Sequence, residues 1–555
     1  MNPQQSESLL MRTYQDWLAR LAADLPTSLH EAAAALFQAV EAGHVCIRVP
    51  LDAAAAWQGH AWVGRPGSYA PFILEDSGRF YLARYWHHEE GVARLLRERA
   101  QQTLAPERGD LLRQELSLLF PDDADDRQRQ AALLAQFKPL TLVSGGPGTG
   151  KTTTVVKMLA LLLAAPRAKP LRILLAAPTG KAAQRLTESI RATRQKLGLA
   201  PERAAAIPEE AQTLHRLLGA QGDSGRFRHD RDNPLRCDLL LVDEASMVDL
   251  ALMHALLEAL PPRARLILLG DKDQLASVEA GSVFGDLCAA PGCSLALQAL
   301  LQPLNVKMAV AADASALGDC RVELTRSYRF AADSGIGALA RAAREGDAGA
   351  FLGAFAGRAD LARCAGEELR EQVLQGFAGY RAAARQGDPA AAFAAFLKFR
   401  VLCAHRQGRA GVEGLNAMLE PNGAGWYPGR PVIVRANDYA LRLFNGDIGL
   451  CLPTPEGLRL FFEAAPGQYR ALAPGRLPAH ESAWAMTVHQ AQGSEFDAVL
   501  LVLPDKATPV LNRPLVYTAV TRAKARFALC GGDAVLKAAL ETLPRRESGL
   551  VEKLA

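Results

Sequence analysis

The stretch Gly145-Gly146-Pro147-Gly148-Thr149-Gly150-Lys151-Thr152 fits the pattern G-x-x-x-x-G-K-[ST]. Glycines at those spacings let successive backbone N–H groups turn inward around a phosphate, and the start of the next helix adds a favourable dipole. Lys151 is then placed to neutralise the β- and γ-phosphates of a nucleotide, and the Thr152 hydroxyl to ligate Mg²⁺. A second chemical pair, Asp243-Glu244, ends the apolar run Leu239-Leu240-Leu241-Val242. An acid at the carboxyl end of such a strand faces the phosphates, so Asp243 would hold Mg²⁺ through water, and Glu244 would orient or deprotonate the attacking water. Two exposed acids opening a loop are the plain alternative, and the fully apolar strand before them argues against it. A kinase or a GTP switch would not need the second acid, so hydrolysis is favoured. Gln274, in Gly270-Asp271-Lys272-Asp273-Gln274-Leu275, could bond the γ-phosphate and report its loss. Alone that stretch is an ordinary turn; its weight comes from following the next strand.

These residues need a scaffold that delivers strand ends to one place. From about 120 to 290, short apolar runs at Leu140–Ser144, Arg172–Ala176, Asp238–Val242 and Arg265–Leu269 alternate with helical stretches, including one through Val155, Met158 and Leu159. That alternation predicts a parallel sheet with crossover helices. Residues 335–400 are Ala-rich and read as helical. Four strand-like runs, Pro431–Arg435, Ile448–Leu452, Leu458–Phe462 and Tyr469–Leu472, predict a small β-barrel inserted before strand–helix alternation resumes over 484–534. The first 110 residues differ. Helical spacing of Leu18, Leu21, Leu25, Leu29, Ala33 and Leu36 is followed by a hairpin around Asp76-Ser77-Gly78 and a helix through Trp86, Val92 and Leu95. They carry no recognisable chemistry, and a structural or docking module is the favoured reading, with Phe72, Tyr81, Tyr85 and Trp86 as apolar surface.

Composition limits the alternatives. At ~150 residues per domain, 555 residues suggest roughly three or four domains. With 49% hydrophobic and 22% charged residues, a mostly disordered chain is excluded. A net charge of +4 gives no chain-wide basic footprint, while leaving a local basic channel open. Nine cysteines without a C-x-x-C spacing argue against a disulfide framework and against a zinc or iron–sulfur site. The amino terminus lacks the basic stretch and apolar core of a secretory signal, and no run approaches the ~18 apolar residues that span a bilayer. A reduced, cytoplasmic protein with no membrane association is expected.

Nine segments in one order resemble the superfamily-one helicases of the RecD branch, the alpha subunit of exodeoxyribonuclease V in the RecBCD complex. They are GGPGTGKTTT from Gly145, APTGKAAQRL from Ala177, TLHRLL from Thr213, VDEASMVD from Val242 and GDKDQLASVEAGSVFGDL from Gly270. Downstream come LTRSYRF from Leu324, FNGDIG from Phe444, TVHQAQGSEFD from Thr487 and VYTAVTRAK from Val516. The resemblance covers roughly residues 120 to 530. It implies an α/β fold of two RecA-like P-loop motor domains, with an SH3-like β-barrel inserted at about 429–480 and a mainly helical N-terminal domain. The implied boundaries are 1–110 for partner docking, 111–320 for the first motor domain and 321–555 for the second.

The resemblance also implies an ATP- and Mg²⁺-dependent 5′-to-3′ translocase on single-stranded DNA. It implies RecB- and RecC-like partners, duplex-end DNA as substrate, and a role in double-strand-break repair. By resemblance Gln128 reads adenine, Thr153 belongs to the phosphate loop, and Gly493 and Glu495 lie at the nucleotide's edge. Arg329 and Arg522 act as arginine fingers, since charge developing on the γ-phosphoryl oxygens requires added cations. With 50 arginines in the chain, either one alone would read as a solvated surface residue. Thr179, Lys181, Thr213, His215, Thr487 and His489 fall in segments that hold the DNA backbone, although each histidine could instead be a satisfied buried one. Such contacts carry no sequence information. One departure stands out: Gln490-Ala491 replaces a Lys-Ser common in relatives, which removes a cation and a hydroxyl near the DNA path. No Asp…Glu-x-Lys nuclease constellation is present, so nuclease activity would belong to a partner. The rival readings are a stand-alone RecD-like helicase, a mainly structural subunit with a dispensable ATPase, and a P-loop kinase. The last leaves Gln274 and TVHQAQGSEFD unexplained.

Overall fold

The computed structural model describes Asp16 and residues 25–555, apart from 58, 106–108, 122–125, 166–168, 223–224, 291, 332, 422–424, 437, 439 and 466. Leu18 and Leu21 of the predicted first helix lie outside the described residues. The chain forms two compact units: residues 1–272, 276–327 and 545–555 make the first, and 273–275 with 328–544 the second.

In the first unit, a helix over Thr27–Glu41 buries Leu29, Ala33 and Leu36 on one face, as their spacing requires. A four-stranded sheet of β1 (Cys46–Arg48), β2 (Val63–Gly64), β3 (Phe72–Leu74) and β4 (Arg79–Leu82) runs in the order β1-β4-β3-β2. The predicted hairpin is β3–β4, antiparallel, with Phe72 opposite Leu82. Gly78 adopts a φ of 79° at its turn. The expectation of an aromatic surface fails here. Phe72 and Tyr81 are fully buried, Tyr85 is 8% exposed, and Trp86 is half-buried with its indole N–H donated to Glu75 at 3.0 Å. A module this small needs its large rings for its own core. Among the described residues of this region, the exposed large apolar side chains are Leu51 and Tyr69.

The motor sheet of this unit contains β5 (Leu140–Gly145), β6 (Ile173–Ala177), β7 (Gln212–Thr213), β8 (Leu239–Val242), β9 (Arg265–Gly270) and β10 (Arg321–Leu324). All pairs are parallel, in the order β10-β5-β9-β8-β6-β7. β5 and β8 are buried along their whole length, which is why they read as unbroken apolar runs. β10 pairs with β5, so this unit runs on through Ser327, past the boundary expected at 320.

The last eleven residues return to the first unit. Glu89, with no exposure, accepts hydrogen bonds from Tyr81 Oη (2.9 Å), Ser548 Oγ (3.0 Å) and the Gly549 N–H (2.9 Å). Lys553 forms ion pairs with Glu89 (3.1 Å) and Glu75 (2.9 Å). Arg546 donates to the carbonyls of Ser277, Glu279 and Gly281 at 2.7–2.9 Å. A carboxylate this deep is tolerable only because it is both paired and hydrogen-bonded.

The second unit holds β11 (Leu361–Cys364) and β12 (Phe399–Cys403). An insert follows with β13 (Pro431–Val434), β14 (Ile448–Thr454), β15 (Gly457–Ala465), β16 (Gln468–Leu472) and β17 (His480–Ser482). The unit closes with β18 (Ala485–Thr487), β19 (Phe496–Val502) and β20 (Ala523–Cys530). The main sheet is parallel, β11-β20-β19-β12-β18. The insert is an antiparallel sheet, β16-β15-β14-β13-β17, with its own core of Val432, Val434, Cys451, Leu460 and Phe462. The α/β expectation with two parallel sheets is met.

One residue works against this core. Arg400 on β12 is fully buried, its guanidinium 4.0 Å from the Phe396 ring centroid and 5.0 Å from that of Phe496. Nη1 donates to the Ala483 carbonyl at 3.0 Å, while Nε and Nη2 have no partner. Burial pulls its pKa down to about 9. Replacing a buried cation by an apolar side chain of similar length is neutral or stabilising, by ~1–4 kcal/mol in comparable cases. Arg400→Met is therefore expected to hold or raise the Tm, whereas Arg400→Ala should cost about 3 kcal/mol through the cavity it leaves. Equal losses of Tm in the two variants would show that the charge itself stabilises the sheet.

Candidate functional site

The phosphate loop follows β5. Gly148 and Gly150 have φ values of 78° and 80°, the left-handed region that glycine enters without strain. A Cβ on Gly145 would meet Thr149 Oγ1 at 2.7 Å and Leu324 Cβ at 3.0 Å, so the turn has no room for a side chain there. Thr149 Oγ1 donates to the Gly146 carbonyl at 2.8 Å, and Thr154 Oγ1 to that of Gly150 at 2.9 Å. Lys151, first residue of the helix Lys151–Leu162, folds over the loop and donates to the carbonyls of Gly145 (2.5 Å) and Gly146 (3.1 Å). Thr152 is half-buried and Thr153 exposed. Gln128, 6% exposed, lies on the helix Asp126–Phe137 in the same unit.

Asp243 and Glu244 follow β8. Asp243 Oδ1 accepts the Glu244 N–H at 2.9 Å, and the Asp243 N–H donates to Ala176 O at 2.9 Å, which ties the acid to the end of β6. Glu244 adopts φ 53°, ψ 40°, a left-handed conformation uncommon for a residue with a Cβ. Desolvation and the adjacent Glu244 push the Asp243 pKa up, and Lys151 opposes them. Two neighbouring carboxylates facing one lysine form a site that favours further positive charge. The hard oxygens of Asp243 and Thr152 suit Mg²⁺, and the glycine cradle with Lys151 suits a nucleoside triphosphate. The residues fit both groups.

Thr213 ends β7 and Thr179 lies two residues beyond the end of β6, neighbouring strands in which Ala177 pairs with Thr213. Each hydroxyl oxygen caps a helix, accepting from Ala182 N and Arg216 N respectively, both at 3.3 Å. A capping threonine keeps its own O–H proton free to donate. Lys181 is half-buried. His215 is exposed, its ring 5.9 Å from Phe227, so it is not a buried core histidine.

The remaining predicted residues belong to the second unit. Arg329 Nη2 pairs with Glu495 Oε1 at 2.6 Å, and the other carboxylate oxygen lies 4.0 Å from Lys524. Sequence reading gave these two residues separate roles and missed that they touch. Arg522 is 1% exposed. Its Nε donates to Thr518 O and its Nη1 to Ser494 O, each at 3.2 Å. Gln274 is 7% exposed, and Gly493 takes φ 70°. Thr487 is buried and His489 half-buried.

The Gln490-Ala491 departure has a structural account. Gln490 Oε1 accepts the Thr487 N–H at 3.0 Å while the Gln490 N–H donates to Thr487 Oγ1 at 3.2 Å, so the amide closes the turn. Ala491 lies fully buried in the core of the unit. Two residues that the motif reading passed over, Gln492 and Thr518, make buried hydrogen bonds to Leu275. The available signal for Thr518 was its spacing, four residues before Arg522 and hence on the same helical face.

Among the described residues no helix is long and apolar enough to cross a membrane. The family model described as an AAA domain matches residues 128–280, and that of the UvrD-like helicase C-terminal domain matches residues 482–530. RecBCD enzyme subunit RecD of Mycolicibacterium smegmatis is 40% identical over 96% of this chain and 95% of its own. The RecBCD enzyme subunit RecD of Haemophilus influenzae is 36% identical over 85% of this chain and 80% of its own. The ATP-dependent RecD2 DNA helicase of Deinococcus radiodurans is 34% identical over 77% of this chain, but over only 52% of its own length.

The geometry makes a separable prediction for binding and turnover. Lys151→Ala should weaken nucleotide binding and abolish hydrolysis together. Glu244→Gln should leave nucleotide binding within about twofold and remove turnover, because it deletes a proton acceptor and keeps the phosphate contacts. Near-normal turnover in Glu244→Gln, measured by phosphate release, would remove Glu244 from the role of base.

Proposed function

Since this chain belongs to the RecD family, we propose that it is the ATP-driven, 5′-to-3′ single-strand motor of a RecBCD-type complex that processes DNA ends. The observation that carries the reading is the 40% identity to a RecD subunit along almost the whole of both chains. The alternative of a stand-alone helicase is less well supported, because the RecD2-type relative is less similar, 34% identical over 77% of this chain. A merely structural subunit would have no use for a strained Glu244 beside Asp243 and an intact glycine cradle.

In this reading Gln128 contacts adenine, the loop Gly145–Thr153 wraps the phosphates, and Lys151 moves from the Gly145 and Gly146 carbonyls onto them. Mg²⁺, held by Thr152 and by Asp243 through water, would neutralise charge on the β- and γ-phosphates. Glu244 takes the proton of the attacking water, and Gln274 senses whether the γ-phosphate is present. Arg329 and Arg522 supply positive charge as the γ-phosphoryl group leaves. Gly493 and Glu495 border the nucleotide. Thr179, Lys181, Thr213 and His215 from the first unit, and Thr487 and His489 from the second, hold the DNA backbone through contacts blind to sequence. The antiparallel insert acts as an SH3-like barrel beside the strand. Residues 1–110 dock the motor on a RecC-like subunit, with Leu51 and Tyr69 as exposed apolar contacts, and a RecB-like subunit carries the nuclease. The expected setting is cytoplasmic.

Two measurements test this. The chain with its co-purifying subunits should displace a strand on substrates with a 5′ single-stranded tail and not on those with a 3′ tail, once any partner motor is inactivated; the opposite polarity would refute the direction. Deleting residues 1–110 should abolish co-purification with those subunits. Retention of the complete complex would move the docking surface to the motor units.

A further inference from the structure

Four hydrogen bonds among five residues of the second unit form a circuit that the backbone from Gln492 to Ser494 closes. The Leu275 N–H donates to Thr518 Oγ1 at 3.0 Å, and the Thr518 carbonyl accepts from Arg522 Nε at 3.2 Å. Arg522 Nη1 donates to the Ser494 carbonyl at 3.2 Å. Two residues earlier, Gln492 Nε2 donates to the Leu275 carbonyl at 2.9 Å and completes the ring. Thr518 has no exposure, and Gln492 is 6% exposed. Leu275 therefore has both its backbone groups fixed, one by Thr518 and one by Gln492, and it directly follows Gln274. The same turn continues into Glu495, which holds Arg329 at 2.6 Å. One buried network thus touches the segment of Gln274, the guanidinium of Arg522 and, through the next residue, Arg329.

We infer that Thr518 and Gln492 are positioning residues that lock the Gln274 segment to Arg522, so that the γ-phosphate sensor and the arginine finger move as one body. This rests on the ATPase reading above, in which Gln274 and Arg522 meet the γ-phosphate. The physical ground is the cost of leaving any member unpaired. The hydrogen bonds of Leu275 to Thr518 and Gln492 and of Thr518 to Arg522 are buried, so a shift of the Gln274 segment without Arg522 would strand a backbone group in a dry interior. Thr518 suits the task because its hydroxyl and its carbonyl face different partners, one on each side of the circuit. Gln492 suits it because its amide reaches across from the turn that also carries Ser494.

The test uses the full chain with its accompanying subunits and measures DNA-stimulated ATP hydrolysis. Thr518→Val, which keeps the shape and removes the acceptor, should lower kcat about tenfold with the KM for ATP changed less than about twofold. Thr518→Ser, which restores the hydroxyl, should recover most of the rate. The double variant Thr518→Val with Gln274→Ala should be no slower than Gln274→Ala alone, since the threonine acts through the glutamine segment. Gln492→Leu should behave as Thr518→Val does, opening the ring on its other side. A lowered Tm with unchanged kcat in Thr518→Val would make the ring merely structural and overturn the inference. So would a Thr518→Ser as slow as Thr518→Val, or losses that multiply in the double variant. If Gln274→Ala and Arg522→Ala each kept the full rate, the ATPase reading itself would fall, and the positioning role with it.

Discussion

Parallel pairing in the first unit makes every strand finish on the same edge of the sheet, and the candidate site depends on that constraint. Gly145 ends β5, Thr213 ends β7, and Thr179 and Asp243 follow β6 and β8 of the same sheet, so residues distant in the chain meet at one rim. The strands themselves supply no chemistry. The strands β5 and β8 are buried along their whole length, and that burial holds the rim rigid enough for a strained residue such as Glu244 to persist.

The second unit treats charge differently. There the polar groups point inward and are held by backbone carbonyls: Arg522 on Thr518 and Ser494, Arg400 on Ala483. Arg522 donates to the neutral carbonyls of Thr518 and Ser494, so drawing it toward an anion exchanges hydrogen bonds. Arg400 has no such use, lies between two phenylalanine rings, and leaves two of its nitrogens unsatisfied.

Much of the scaffold was legible from the sequence because periodicity and burial coincide. The runs at 140, 172, 238 and 265 became β5, β6, β8 and β9 within a residue at each start, and the four runs of the insert became β13 to β16. The phosphate loop was legible because its glycines answer a local backbone need, visible in Gly148 and Gly150. Other features were not legible, for reasons that are physical. Phe72, Tyr81 and Tyr85 read as docking surface, because a sequence does not show how much of a small module's own core must be aromatic. The pairing of Arg329 with Glu495 spans residues far apart in the chain and has no periodic signature. Thr518 and Gln492 sat inside recognised segments, yet hydrogen bonds to a backbone at Leu275 leave no trace in residue type.

The return of the carboxyl end to Glu89 has a consequence for the order in which this protein is made. A nascent chain emerges amino end first, and its domains generally fold in that order. Here the first unit cannot be finished in that way, because Ser548, Gly549 and Lys553 are synthesised only after the whole of the second unit. Until they arrive, Glu89 lacks two of its hydrogen bonds and its ion pair with Lys553, so its final burial is not yet compensated. The amino-terminal module therefore reaches its final stability only after the second unit has been made. A product terminated within the second unit carries its own defect, because the module around Glu89 then lacks Ser548, Gly549 and Lys553.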